Sequence, residues 1–327
     1  MRMPRCVLAA LALSVVSPLA QAQAYPNTEN FGVDFDHDAP WYQACLRVRH
    51  AVPAAQAATA APACDARAAY YTKLDQAVTS AAEWAAVRAC AAASNDSAVL
   101  SMLYANGLGV ARNTDVATFY ACSTGAAHAE MAARVAHLAT LAPAARFDLC
   151  DDITSGRMGG ECAAIAASRA ERIETAYFAR LRATLSGPQA RAFDRLVKAN
   201  ARFAQAHGSG ETARGGSGYV GFMIGAQARE SEWLREHLLA FEKGKFQLPP
   251  PSQFASDDAE LNRRYRARIA PGAAPDEYAI APAALRAAQR AWLAYRDAWV
   301  DFAALRYPQV PAAALQALLT QWRIAQL

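Results

Sequence analysis

Carboxylates, histidines, serines and cysteines are the residues of this 327-residue chain whose types could do chemistry, and each can be held against the spacing its chemistry requires. Acid catalysis of glycoside cleavage needs a carboxyl group with a raised pKa, paired with a second carboxylate. Glu211 in a Gly-rich stretch and Glu230 in Glu230-Ser231-Glu232-Trp233 are the candidates, and with either of them the chain would be a cell-wall glycosidase. Metal chemistry has less to work with. His50, His128, His137, His207 and His237 never fall at the i, i+4 spacing of a zinc-binding catalytic helix. Asp34, Asp36 and Asp38 imitate the start of a calcium loop, but its sixth position is Ala39 instead of Gly and its twelfth is Cys45 instead of Glu. Ser217 in Gly-Gly-Ser-Gly misses the G-x-S-x-G elbow by one residue. No CxxC occurs, so neither a redox pair nor a zinc ribbon is indicated. No metal and no cofactor is expected.

The cysteines acquire meaning from the N-terminus. Arg2 and Arg5 precede an apolar run from Cys6 to Val16, and small-residue cleavage sites end at Ala22 and Ala24, the pattern of a secretory signal peptide over residues 1–24. The mature protein is expected in the periplasm or secreted. Of seven cysteines, six then remain: Cys45, Cys64, Cys90, Cys122, Cys150 and Cys162. An even number in an exported chain implies disulfides. Order along the chain favours Cys45 with Cys64, Cys90 with Cys122 and Cys150 with Cys162. The net charge of +4, which falls to +2 once Arg2 and Arg5 leave, is too weak to indicate nucleic acid. No segment approaches the roughly 18 uninterrupted apolar residues of a membrane span, so no membrane insertion is expected.

The elements that must position these residues are helices. Hydrophobic residues make up 54% of the chain and much of that is alanine, the best helix former, so the fold class is all-α. Pro and Gly place the breaks at 52–63, 208–221, 248–256 and 271–282. The expected organisation is a flexible leader over 25–40, a helical-repeat unit over 41–146, a second helical unit over 147–247, a Pro-rich linker over 248–256 and a last helical unit over 257–327. Glu83 to Cys90 recurs in outline as Asp115 to Cys122. That offset of 32 residues is close to the period of helix-turn-helix solenoids. The stretch from Ala98 to Val110, with Gly107 and Gly109, followed by Ala117, Tyr120 and Ala121, resembles the SEL-one-like repeat. The resemblance implies a short scaffold of paired helices that contacts another protein.

The most specific text is C-terminal. Leu261-Asn262-Arg-Arg-Tyr265 is followed by Leu285-Arg286-Ala-Ala-Gln289-Arg290-Ala-Trp292-Leu-Ala-Tyr295-Arg296-Asp297-Ala-Trp299, and then by Thr320-Gln-Trp-Arg323-Ile-Ala-Gln-Leu327. These three blocks resemble the lysozyme inhibitor LprI-like domain over residues 256–327. Cys150 to Ala163 looks like the opening of the same family, making 147–247 a degenerate related copy without the AQRxWLxYRD text. Leu285, Gln289, Trp292, Tyr295 or Arg296, and Trp299 recur at three and four residues and share one helix face. Leu261, Tyr265 and Ile269 stripe the preceding helix, so the two should form an antiparallel hairpin closed by the third. Asn262, Tyr265, Gln289, Arg290, Trp292, Tyr295, Arg296 and Asp297 are the candidate contact residues, because exposed Arg, Tyr and Trp dominate interfaces. The alternative is that the aromatics fill the core and the charges bond across helices. The resemblance implies a protein partner, a lysozyme or another envelope protein, and an inhibitor rather than an enzyme. A purely structural envelope adaptor fits the same text. Residues 256–327 hold nine Arg against seven Asp and Glu, which is not the acidic balance expected of a binder of cationic lysozymes. Val300 stands where the family often has a cysteine, and no cysteine lies near Thr320.

Overall fold

A computed structural model describes residues 24–52, 64–270 and 280–327; the expected signal peptide and the break at 52–63 lie largely outside them, as does most of the insertion at 271–282. Among the described residues there are twelve α-helices and no strand, so the chain is all-α. No described helix is long and apolar enough to cross a membrane.

The first six helices are short, and their starts are written in the sequence. They are α1 (Pro40–Val48), α2 (Ala66–Leu74), α3 (Ala81–Ala93), α4 (Ser97–Asn106), α5 (Thr114–Ser123) and α6 (His128–Thr140). Asp65, Ser80, Asp96 and Asn113 each accept a hydrogen bond from a first-turn backbone N–H of α2, α3, α4 and α5, and Glu83 completes a capping box on α3. Helix α4 is buried on nearly every side, from Ala98 to Ala105, and so carries no amphipathic stripe. It ends at Gly107, whose φ of +66° is left-handed. At Gly109, φ is +67° and a Cβ would lie 2.4 Å from the Cβ of Trp84, so conformation and space both demand glycine.

The disulfides depart from the order-based expectation. Cys45 bonds Cys122, and Cys64 bonds Cys90; only Cys150 with Cys162 pairs as expected. The reason is packing: α1 lies on α5 and α6, which brings Cys45 to Cys122, while α2 lies on α3, which brings Cys64 to Cys90. Loop-closure entropy rises only slowly with loop length, so a distant partner costs little more than a near one. The segment expected as a flexible leader is packed down as well. Asn27 and Phe31 are buried, Tyr25 stacks on Phe119 at 5.0 Å, and its hydroxyl donates to the Cys45 carbonyl at 3.0 Å. Tyr25, Phe31 and Phe35, three aromatic rings in sixteen residues, supply the apolar area that holds it there.

Six longer helices follow: α7 (Gly156–Ala183), α8 (Gly187–Glu211), α9 (Tyr219–Glu242), α10 (Gln253–Ile269), α11 (Pro282–Arg306) and α12 (Ala312–Gln326). The Gly-rich loop expected from residue 208 begins only after Glu211, because α8 runs through Gly208 and Gly210. A Cβ on Gly208 would lie 2.7 Å from the Met223 carbonyl oxygen of α9, so that glycine serves close helix packing inside α8. Helix α10 likewise starts within the expected linker. The expected hairpin is also corrected: α11 runs along α8, and α10 lies chiefly on α12, touching α11 only briefly. One core therefore joins the two units drawn as separate on either side of 248–256, with Leu196, Phe203 and Leu234 packed together with Trp292, Trp299 and Leu315.

The turn between α11 and α12 is fastened to α9 by Glu242. Arg306 approaches it at 2.7 and 3.0 Å, and the Tyr307 hydroxyl donates to it at 2.7 Å. Hydrogen bonds from Arg306 hold the Glu242 carboxyl below its ordinary value of 4.5. A carboxylate with a depressed folded-state pKa stabilises the protein above the unfolded value, and that contribution is lost as pH falls through the folded one. Glu242→Gln should therefore lower stability at neutral pH and reduce the loss of stability seen on titrating below about pH 4.5, read by urea unfolding across pH. Peptide mapping without reduction should recover Cys45 linked to Cys122, and Cys45→Ser with Cys122→Ser should destabilise the chain by about 4 kcal/mol for a loop of this length. A Cys45–Cys64 peptide would contradict the fold described.

Candidate functional site

Two arrangements stand out in the C-terminal core, one sealed and one open. The sealed one gathers polar side chains, four of them ionisable, from four helices. Helix α8 ends with His207 and Glu211, one turn apart on the same face; α9 brings Glu230, α11 brings Gln289, and α12 brings Trp322, Arg323 and Gln326. Arg323 is fully buried, and its two terminal nitrogens grip both oxygens of Glu211, Nη1 at 2.9 Å. Its Nε donates to Gln289 Oε1 at 3.0 Å, Nη1 also reaches Gln326 Oε1 at 3.0 Å, and the guanidinium lies 5.4 Å from the Phe203 ring centre. Glu230 lies 2.8 Å from His207 Nδ1 and accepts from Gln326 Nε2 at 2.6 Å and from Trp322 Nε1 at 3.4 Å. The two carboxylates proposed as general acids thus meet in one cluster, bridged by His207, which sequence spacing did not foresee. Their side chains are 4% and 1% exposed, and their oxygens are engaged by donors from neighbouring helices.

Arg323 escaped the list of candidate residues although its signal was legible. It follows Leu315 and Leu319 at four-residue steps, so it continues a buried stripe, and a cation on such a stripe requires a buried partner. Which partner it takes is a matter of tertiary structure, since Glu211 lies 112 residues away.

The open arrangement is a cleft of about 280 Å³ between α10 and α11. It exists because those two helices touch only briefly. Buried Leu261 and Trp292 form its floor, while Asn262 and Tyr265 from α10 and Arg286, Arg290 and Leu293 from α11 form its walls. Five candidate contact residues meet there: Asn262, Tyr265, Gln289, Arg290 and Trp292. Asn262 is exposed and its amide donates to the Asp258 carbonyl at 2.8 Å and to its carboxylate at 3.0 Å. Gln289 is held by Arg323, so it joins the cleft to the sealed cluster.

The other three candidates divide. Tyr295 is interior and unable to touch a partner: its hydroxyl accepts from Trp299 Nε1 at 3.2 Å, and burial pushes its phenol well above the usual range. Arg296 braces the site from behind, 5.3 Å from the Trp292 ring centre and 3.8 Å from Asp258. Asp297 is 62% exposed and pairs with Arg296 at 3.1 Å, outside the cleft. The aromatic stripe of α11, Trp292 included, is thus core, while the candidate Arg290 lies on its flank.

Comparison with known proteins reports on this same region. The family described as lysozyme inhibitor LprI matches residues 252–327, which takes in α10, α11 and α12 whole. No curated protein and no solved structure compared with the chain matches it. The cleft lies inside the matched stretch, whereas Glu211 and Glu230 lie outside it.

Removing the cation while leaving its partner should be costly. Arg323→Met is expected to destabilise the protein by about 3–5 kcal/mol, because Glu211 would be left buried and unpaired. Glu211→Gln added to it should recover part of that loss. Equal stability of Arg323→Met and wild type in urea unfolding would contradict the pairing.

Proposed function

We propose that this chain is an exported protein-binding module of the bacterial envelope that inhibits a lysozyme, and that the cleft between α10 and α11 is the contact surface. The observation that carries the reading is a coincidence of place: the LprI family match falls on the three helices that build the cleft. Exposed motif residues line its walls, and its floor is apolar. Such a surface, an Arg and Tyr rim over a buried Trp, has the composition of an interface hot spot. Three disulfides suit a protein that works outside the reducing cytoplasm. In this reading residues 84–138 form one SEL-one-like unit that offers a second protein-binding face, and residues 147–247 are a related but degenerate copy that supplies α8 as the support for α11. Hydrolysis finds no support in the positions of Glu211 and Glu230, both of which are buried among donors from α8 and α12.

The test is lysozyme clearing of a cell-wall suspension with and without the purified mature protein. Slowing is expected, and Asn262→Ala with Tyr265→Ala should weaken it by about tenfold, the effect of removing roughly 1.4 kcal/mol of contact energy. No slowing at high molar excess overturns inhibition and favours an adaptor. Clearing by the protein alone, lost in Glu211→Gln, would favour a glycosidase.

A further inference from the structure

The cleft raises an electrostatic difficulty that its own walls resolve. Residues 256–327 hold nine Arg against seven Asp and Glu, so the matched region as a whole does not attract a cationic enzyme. Attraction must then be local, and it needs a feature of the enzyme that is negative despite its overall charge. A glycosidase that cleaves cell-wall glycan has one by necessity, the pair of active-site carboxyl groups flanking the scissile bond.

We propose that Arg286 and Arg290 form a two-pronged cationic clamp that engages those paired carboxylates and so blocks the active site itself. This rests on the inhibitor reading above and specifies how it works. Arg286 and Arg290 sit one turn apart on α11, both exposed, both on the wall of the cleft. Residues at i, i+4 have their Cβ atoms about 5–6 Å apart. The two carboxyl groups of a glycosidase lie roughly 5–5.5 Å apart in retaining enzymes and 6.5–9.5 Å apart in inverting ones. Two flexible side chains rooted at the first distance can reach either arrangement, each guanidinium giving a planar, bidentate donor edge to one carboxylate.

The surroundings favour an incoming carboxylate. Neither arginine forms an ion pair with a described carboxylate. Asp258, the one acid among the described residues of the cleft wall, is already occupied: Arg296 lies 3.8 Å away and Asn262 donates to it at 3.0 Å. Glu260, further along α10, is taken by Arg263 and Arg264. Leu261 and Trp292 beneath, and Leu293 on the wall at 37% exposed, would exclude water once the cleft is covered. Desolvation strengthens ion pairs that are fully matched.

The experiment uses the full mature chain and a purified lysozyme. Wild-type inhibition should be competitive with chitotriose, and Arg286→Gln with Arg290→Gln should raise the inhibition constant by roughly 30-fold or more, the scale for truncating one side of a desolvated charge pair. Circular dichroism and thermal unfolding should be unchanged, and Arg286→Lys with Arg290→Lys should restore part of the inhibition. By titration calorimetry, a lysozyme whose general-acid Glu is replaced by Gln should bind wild type more weakly and the double Gln variant no more weakly than native lysozyme does. Inhibition that is non-competitive, or that survives the double Gln substitution, overturns the clamp and leaves the inhibitor reading standing. Absence of any lysozyme binding by the wild-type chain overturns both.

Discussion

A guanidinium with no exposed surface leaves a helix bundle little freedom. Arg323 must find a carboxylate and further acceptors inside the protein, since an unpaired buried charge costs several kcal/mol. It finds them on three different elements: Glu211 at the end of α8, Gln289 in the first third of α11 and Gln326 on its own α12. Satisfying one residue therefore sets the positions of α8, α11 and α12 relative to each other. Glu230 and His207 extend the same cluster to α9. Such networks are strong when complete and expensive when broken, so they specify an arrangement more sharply than apolar packing does.

The cleft is a by-product of that arrangement. Helix α11 is committed along its length to α8, whose Phe193 and Phe203 meet Phe302 and Tyr295 across the core. Helix α10 is committed to α12. The two helices that carry the most distinctive text are thus held by other partners and diverge, and the wedge between them stays open. Its floor is apolar because Leu261 and Trp292 are the places where the diverging helices still belong to one core. Its rim is polar because the flanks of α10 and α11 face solvent. Gln289, touching both Arg323 and the cleft, ties the shape of the open surface to the buried pair behind it.

In the N-terminal half covalent bonds take the place of buried charge. The six short helices carry much alanine and bury modest area each, and Cys45–Cys122 and Cys64–Cys90 fasten α1 to α5 and the start of α2 to α3. Cys150–Cys162 closes the approach to α7. The cores of the two halves remain distinct, and α2 resting on α7 is where they meet.

Much of this was legible from residues alone. Alanine content and three-to-four spacing announced helices, and the text around Leu261, Gln289 and Arg323 marked the family that the last three helices resemble. These are local signals, carried by backbone propensity and by side chains one turn apart, and a linear string records them fully. Partners remote in sequence were not legible: Cys45 with Cys122 rather than Cys64, Arg323 with Glu211, α11 with α8 rather than α10. Loop closure penalises distance only logarithmically, so the chain's order left those pairings open, and the simultaneous burial of apolar area and satisfaction of buried charge in three dimensions decided them.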